Sequence, residues 1–162
     1  MVRVVLGGTF ESLHAGHSKL IKEAFGILKE AGFGIVHIGL TSDEMAAKKN
    51  HAVSDYDARQ KTLNEFVSEL LKEMNLPADS YFIFRLDDPF GPAISENYDY
   101  IVVSPETQAG AEKINEIRRH SGLPELKIRV VDFVLAGDRL PISTTRIHSG
   151  EIDQKGRLFK KR

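Results

Sequence analysis

The chain has 162 residues, 41% of them apolar and 28% charged, the make-up of one folded domain with its own core rather than of a disordered chain. With 22 basic against 23 acidic residues the net charge is −1, so nothing in the overall electrostatics favours nucleic acid or an anionic membrane. Cysteine is absent, which excludes disulfides, thiolate nucleophiles and thiolate-bound zinc. No segment approaches the ~20 apolar residues of a membrane span. Val2–Leu6, closed by glycines, is too short for the apolar core of a signal peptide, so the expected setting is cytoplasmic.

In chain order, the β-branched run Val2–Leu6 predicts a buried strand. A helix follows from Ala15 to Ala31, with Leu20, Ile21, Ala24, Phe25 and Leu28 on one face, stopped by Gly32 and Gly34. Ile35–Leu40 is a second buried strand. Tyr56–Met74 carries the cleanest amphipathic pattern, through Leu63, Phe66, Val67, Leu70, Leu71 and Met74, and Pro77 marks its break. Tyr81–Leu86 and Tyr98–Ser104 are further strands, and Pro105–His120 is a helix with Ala111, Ile114 and Ile117 facing inward. Lys127–Phe133 is a fifth strand, and a short helix starts at Ser143. The basic stretch Lys155–Arg162 reads as a solvated tail. Strands alternating with helices predict an α/β fold: a Rossmann-like, open, mostly parallel five-stranded sheet with helices on both faces. In such sheets ligands lie beyond the carboxyl ends of the strands.

The stretch GGTFESLHAGH, Gly7–His17, occupies the first of those ends. His14 and His17 stand at a helical neighbour spacing, which invites a metal reading. Zinc needs three or four protein ligands, and His37, His51, His120 and His148 form no ligand-spaced cluster with them. Phosphate fits better. Gly7 and Gly8 allow close backbone approach, Thr9 offers a hydroxyl, and Gly16 lets the first turn of a helix, with its unpaired N–H groups, come near an anion. As plain structure the same residues make a tight turn capped by His14. No Gly-Lys-Ser/Thr follows, so this is not a P-loop.

Gly7–His17 resembles the T-x-x-x-x-H-x-G-H signature of the nucleotidyltransferase superfamily, with Thr9, His14, Gly16 and His17 on its fixed positions. ISTTRIH, Ile142–His148, is similar to that superfamily's second signature, I-S-S-T-x-x-R. Two signatures in the right order make a specific match. Between them SDYDARQKTLNEFV (Ser54–Val67), LDDPFGPAISENYDYIVVSPET (Leu86–Thr107) and GAEKINEIRRHSGLPELKI (Gly110–Ile128) resemble the phosphopantetheine adenylyltransferases of the archaeal and eukaryotic type. The likeness runs from Val4 to Asp153, which implies a nucleotidyltransferase domain over residues 1–153 and a basic tail over 154–162.

The resemblance implies transfer of the adenylyl group of ATP to 4′-phosphopantetheine, giving dephospho-coenzyme A and pyrophosphate by direct attack of the acceptor phosphate on the α-phosphorus. That chemistry asks for positioning and charge stabilisation more than for a protein nucleophile. Gly8, Thr9 and Phe10 would then lie along the nucleotide or acceptor phosphate. His14 and His17 would donate to the α- and β-phosphates beside Gly16, and Lys48 or Lys49 would meet the acceptor phosphate. Arg85 would reach the acceptor phosphate or the triphosphate, with Asp88 shaping its loop; DPFG reads equally as a structural turn. Ser104 and Glu106 would border adenosine, and Ser143, Thr144, Thr145 and Arg146 would lie across the triphosphate, though they also make a good helix N-cap. Mg²⁺ would be held mainly through ATP phosphates, with no metal cage of protein side chains. The implied partners are these small molecules, neither nucleic acid nor membrane, and the implied state is a monomer.

Asp55 reads as the N-cap of the Tyr56 helix, and Arg59 either pairs with it or reaches into the site, the structural role being favoured. Two positions depart from the signatures. Glu11 stands where many relatives have Asp and is expected to be peripheral. His148 stands where Arg often closes the second motif, which puts the triphosphate arginine in question. The competing readings are another nucleotidyltransferase, for instance one acting on nicotinamide mononucleotide or a polyol phosphate, and a non-catalytic adenine-nucleotide or coenzyme A sensor.

Overall fold

The computed structural model describes residues 1–11, 13, 15–47 and 53–132. Five strands, β1 (Val2–Gly8), β2 (Gly34–Thr41), β3 (Tyr81–Leu86), β4 (Tyr100–Val103) and β5 (Lys127–Val130), form one sheet in the order β3-β2-β1-β4-β5. Every pairing is parallel, so the expected mostly parallel sheet is wholly parallel among these strands. The helices are α1 (Ala15–Ala31), α2 (Asp43–Ala46), α3 (Tyr56–Met74) and α4 (Gln108–His120), with a single 3-10 turn at Gly91–Ile94. Among the described residues no helix is long and apolar enough to cross a membrane.

The alternation of side chains along each strand divides the core in two. Val4, Leu6, Val36, Ile38 and Leu40 point to the face covered by α1 and α3, where they meet Ile21, Phe25, Leu28, Leu63, Val67 and Leu71. Each such fully buried aliphatic side chain contributes roughly 1.5–3 kcal/mol. Val5, Ile101 and Val103 point the other way, onto Ala93, Ala111, Ile114 and Leu126. The second face departs from expectation at one place: Ile117 is only half-buried, and the neighbouring Arg118 is buried instead.

Element ends have local causes. Gly32, at φ +97°, closes α1 as expected. Asn75, in the left-handed region at φ 55°, closes α3, its N–H and that of Leu76 taking up the last free carbonyls before Pro77 is reached. β4 starts two residues later than the apolar pattern predicts. Asp99 instead clasps Arg3, its N–H donating to the Arg3 carbonyl and its carboxylate accepting from the Arg3 N–H. α4 starts at Gln108 rather than Pro105 because Ser104–Thr107 form a turn, in which the Thr107 hydroxyl accepts from the Ser104 N–H. The strand expected over 127–133 is paired as far as Val130, and Phe133 lies outside the described residues.

Strand order reverses beside β1: β2 and β3 extend to one side, β4 and β5 to the other. This is the switch point at which an open α/β sheet leaves a crevice. β1 stays paired with β2 up to Gly8↔Leu40, whereas its pairing with β4 ends at Val5↔Ile101. The two central strands therefore part company toward their carboxyl ends.

Candidate active site

The residues expected in the site that fall on described segments gather at this carboxyl edge. Gly8, Leu40 and Arg85 form one row across β1, β2 and β3, and Thr41 lies on the next row opposite Leu86. Ser104 follows β4 on the far side of the gap. His14, Lys48, Lys49, Ser143, Thr144, Thr145, Arg146, His148 and the tail lie outside the described residues.

After Gly8 the chain turns sharply. Phe10 adopts φ 47°, a left-handed conformation uncommon for a bulky side chain, and its ring is 1% exposed. Burial of that ring holds the strained turn in place, which is the usual condition for such strain to persist. A Cβ on Gly8 would stand 3.2 Å from the Phe10 ring, so the second glycine is required by this packing. Phe10 was expected beside the ligand. Its side chain is taken up by the core, where its ring meets that of His17 edge to face at 5.2 Å between centroids. The first turn of α1 thereby presents a half-buried His17 next to the turn.

Thr9, 8% exposed, is held from two sides. Its hydroxyl accepts from the Thr41 hydroxyl at 2.9 Å, and its carbonyl accepts from Arg59 Nη1 at 3.2 Å. Arg59 has a side chain 0% exposed. Its Nε donates to the Ser54 carbonyl at 2.8 Å, Nη1 also to Thr41 Oγ1 at 3.2 Å, and Nη2 to Asp43 Oδ1 at 3.2 Å. Of the two expectations for Arg59, reaching into the site is the one realised. The partner expected for it, Asp55, instead caps α3 by accepting from the Ala58 N–H at 2.8 Å. Glu11 is not peripheral: its carboxylate accepts from the N–H and the hydroxyl of Ser54 at 2.8 and 2.9 Å, tying the turn after β1 to the start of α3.

The other side of the edge is more open. Arg85 is 64% exposed and pairs with Asp87 at 3.4 Å. Tyr56 stands near both arginines, with the Arg59 guanidinium 5.9 Å from its ring centre. Burial pushes its phenol pKa up, and the Arg85 and Arg59 charges oppose that rise. Asp88 fits the structural alternative for its loop: Oδ1 accepts from the N–H groups of Phe90 and Gly91 at 2.9 and 2.7 Å. Ser104 and Glu106 lie in the turn before α4, Glu106 exposed. Among the described residues no three His, Asp or Glu side chains converge as metal ligands.

Thr41 was not singled out by sequence. The signal that could have found it is positional: it ends β2 one row beyond the glycine pair, where a hydroxyl faces the turn.

Residues 5–150 match the Cytidylyltransferase-like family. A Methanosarcina barkeri protein named phosphopantetheine adenylyltransferase is 50% identical over 160 residues, covering 99% of this chain and 94% of its own. The Methanosarcina mazei protein of the same name is 51% identical over 160 residues, covering 99% of each. A solved structure of a protein of unknown function from Archaeoglobus fulgidus superposes with a TM-score of 0.65 at 35% identity, covering 81% of this chain and 90% of that one. With the two signatures, the parallel sheet and the donors gathered at its switch point, the chain belongs to the Cytidylyltransferase-like nucleotidyltransferases and, among them, to the archaeal phosphopantetheine adenylyltransferase family.

Proposed function

We propose that the chain transfers the adenylyl group of ATP to 4′-phosphopantetheine in the cytosol, acting as a monomer. An oxygen of the acceptor phosphate forms a bond to the α-phosphorus as the bond from that phosphorus to the β-phosphate oxygen breaks, and pyrophosphate leaves. The acceptor is already anionic, so the site has no need of a protein nucleophile; it needs donors placed where charge builds. The observation that carries this reading is the set of donors at the switch point: a threonine hydroxyl held by Thr41 and a histidine held on the first turn of α1.

Thr9 meets a phosphoryl oxygen of the acceptor or the α-phosphate, and His17, with His14, donates to the α- and β-phosphates. Lys48 or Lys49 takes the acceptor phosphate, Arg85 the acceptor or the triphosphate, Ser104 and Glu106 border adenosine, and Ser143–Arg146 lie across the triphosphate. Mg²⁺ fits as a passenger on the triphosphate, neutralising its charge, because Asp43 and Asp88 after β2 and β3 are already engaged by Arg59 and by turn amides.

The test is to supply ATP and Mg²⁺ with phosphopantetheine, nicotinamide mononucleotide or a polyol phosphate in turn and to measure pyrophosphate release. Turnover with phosphopantetheine alone is expected. Turnover with nicotinamide mononucleotide and none with phosphopantetheine overturns the acceptor, and binding without any pyrophosphate turns the protein into a sensor.

A further inference from the structure

We infer that Arg59 is a positioning residue which, acting through Thr41, fixes the Thr9 hydroxyl as a hydrogen-bond donor toward the ligand; this rests on the reading in which Thr9 meets a phosphoryl oxygen. A guanidinium donates and cannot accept. Thr41 Oγ1, accepting from Arg59 Nη1 at 3.2 Å, must therefore send its own proton elsewhere, and Thr9 Oγ1 stands 2.9 Å away to take it. Thr9 Oγ1 is then the acceptor in that pair, and its proton points away from Thr41. No acceptor for that proton stands among the described residues.

The opposite polarity is closed off. Were Thr9 to donate to Thr41, the Thr41 proton would be left toward the guanidinium. Arg59 cannot swing away to permit this, since Nε is held by the Ser54 carbonyl and Nη2 by Asp43, and the side chain is wholly buried. Glu11 grips Ser54 from the other side, so the turn and the guanidinium share one frame. A free hydroxyl would serve cations and anions alike, whereas this one is set to donate and so selects an anion. Such a chain of hydrogen bonds also polarises each member, strengthening the last donor.

The test uses the full-length protein as wild type, Thr41→Val, Thr41→Ser, Thr9→Val and the Thr9→Val/Thr41→Val double variant. Thr41→Val keeps the shape at the end of β2 and leaves Arg59 Nη1 its bond to the Thr9 carbonyl, so the fold is retained; melting temperature checks this. Pyrophosphate release with ATP and phosphopantetheine should fall about tenfold in Thr41→Val, the worth of one hydrogen bond. Thr41→Ser should restore it. Thr9→Val should lose about 100-fold, and the double variant should lose no more than Thr9→Val alone. A Thr41→Val enzyme within about twofold of wild type, or losses that multiply in the double variant, overturns the relay and leaves Thr41 as plain structure. Calorimetric affinities for ATP and phosphopantetheine follow the same four comparisons. Wild type that binds but does not turn over phosphopantetheine defeats the proposed reaction, while the affinity pattern still decides the relay: weakening by Thr41→Val that vanishes in the Thr9→Val background supports it, and equal affinities overturn it.

Discussion

Arg59 and Arg118 are each 1% exposed, and their burial alone would rank them as equals. Their partners separate them. Arg118 donates to the carbonyls of Pro124, Ala93 and Glu96, all main chain, and so staples the loop after α4 to the segment that leads into β4. Arg59 reaches two carbonyls, a carboxylate and the hydroxyl of Thr41, and through that hydroxyl a second one on Thr9. A carbonyl ends a hydrogen-bond chain, whereas a hydroxyl passes it on. One arginine therefore closes a loop and the other orients a group at the ligand edge.

The largest expected effects come from removing either arginine. Arg118→Ala and Arg59→Ala each strand several buried acceptors at about 1–3 kcal/mol apiece, so both should lose about 3 kcal/mol or more in urea titration. The contrast lies in turnover measured below the melting temperature: Arg118→Ala should match wild type per folded molecule, and Arg59→Ala should be slower. Equal losses of turnover would erase the distinction. Next comes His17→Ala, for which removal of a transition-state donor should cost about 100-fold or more in kcat with a much smaller change in melting temperature. Full turnover in that variant refutes the role given to His17.

Smaller effects probe the frame around Arg59. Glu11→Ala removes two hydrogen bonds to a carboxylate at an exposed position, and Asp55→Ala removes the α3 cap; each should cost about 1 kcal/mol in stability. Glu11→Ala should also slow turnover, because it frees the turn that carries Thr9, and Asp55→Ala should not.

The smallest effect lies away from both arginines. His37 Nδ1 shares a hydrogen bond with the Tyr98 hydroxyl at 2.8 Å, and burial first, then the Arg3 charge, lowers its pKa below the ordinary 6.5, with Glu96 opposing. Above about pH 6.5 the imidazole is neutral in both folded and unfolded chains and adds no slope. As pH falls below that value the unfolded chain takes up the proton first, so stability drops. His37→Gln should flatten this part of the stability–pH curve; an unchanged slope assigns it to other groups.

Much of this was legible in the sequence where periodicity is strong. α1 and α3 begin and end where their apolar faces predict, and β3 spans the same Tyr81–Leu86. Short elements were not: α2 has four residues and the turn at Gly91–Ile94 another four, too few for a period to register. β4 lost Tyr98 and Asp99 because their side chains pack on His37 and clasp Arg3, contacts that no pattern within one strand encodes. In the site, Thr9 and His17 could be read because a signature names them. Thr41 could not, and Arg59 was read with the wrong carboxylate, since its partners lie 50 and 18 residues away in sequence and only the strand register brings them together. Glu11 was taken as peripheral for the same reason: its partner, Ser54, is 43 residues distant.

The account rests on a site that positions two phosphates and donates to them without forming a bond to either. The steric course at the α-phosphorus tests this directly, using ATP made chiral there by sulfur substitution and phosphopantetheine as acceptor. A single direct displacement predicts inversion of configuration in the dephospho-coenzyme A product; retention requires an adenylyl-enzyme intermediate and contradicts the account.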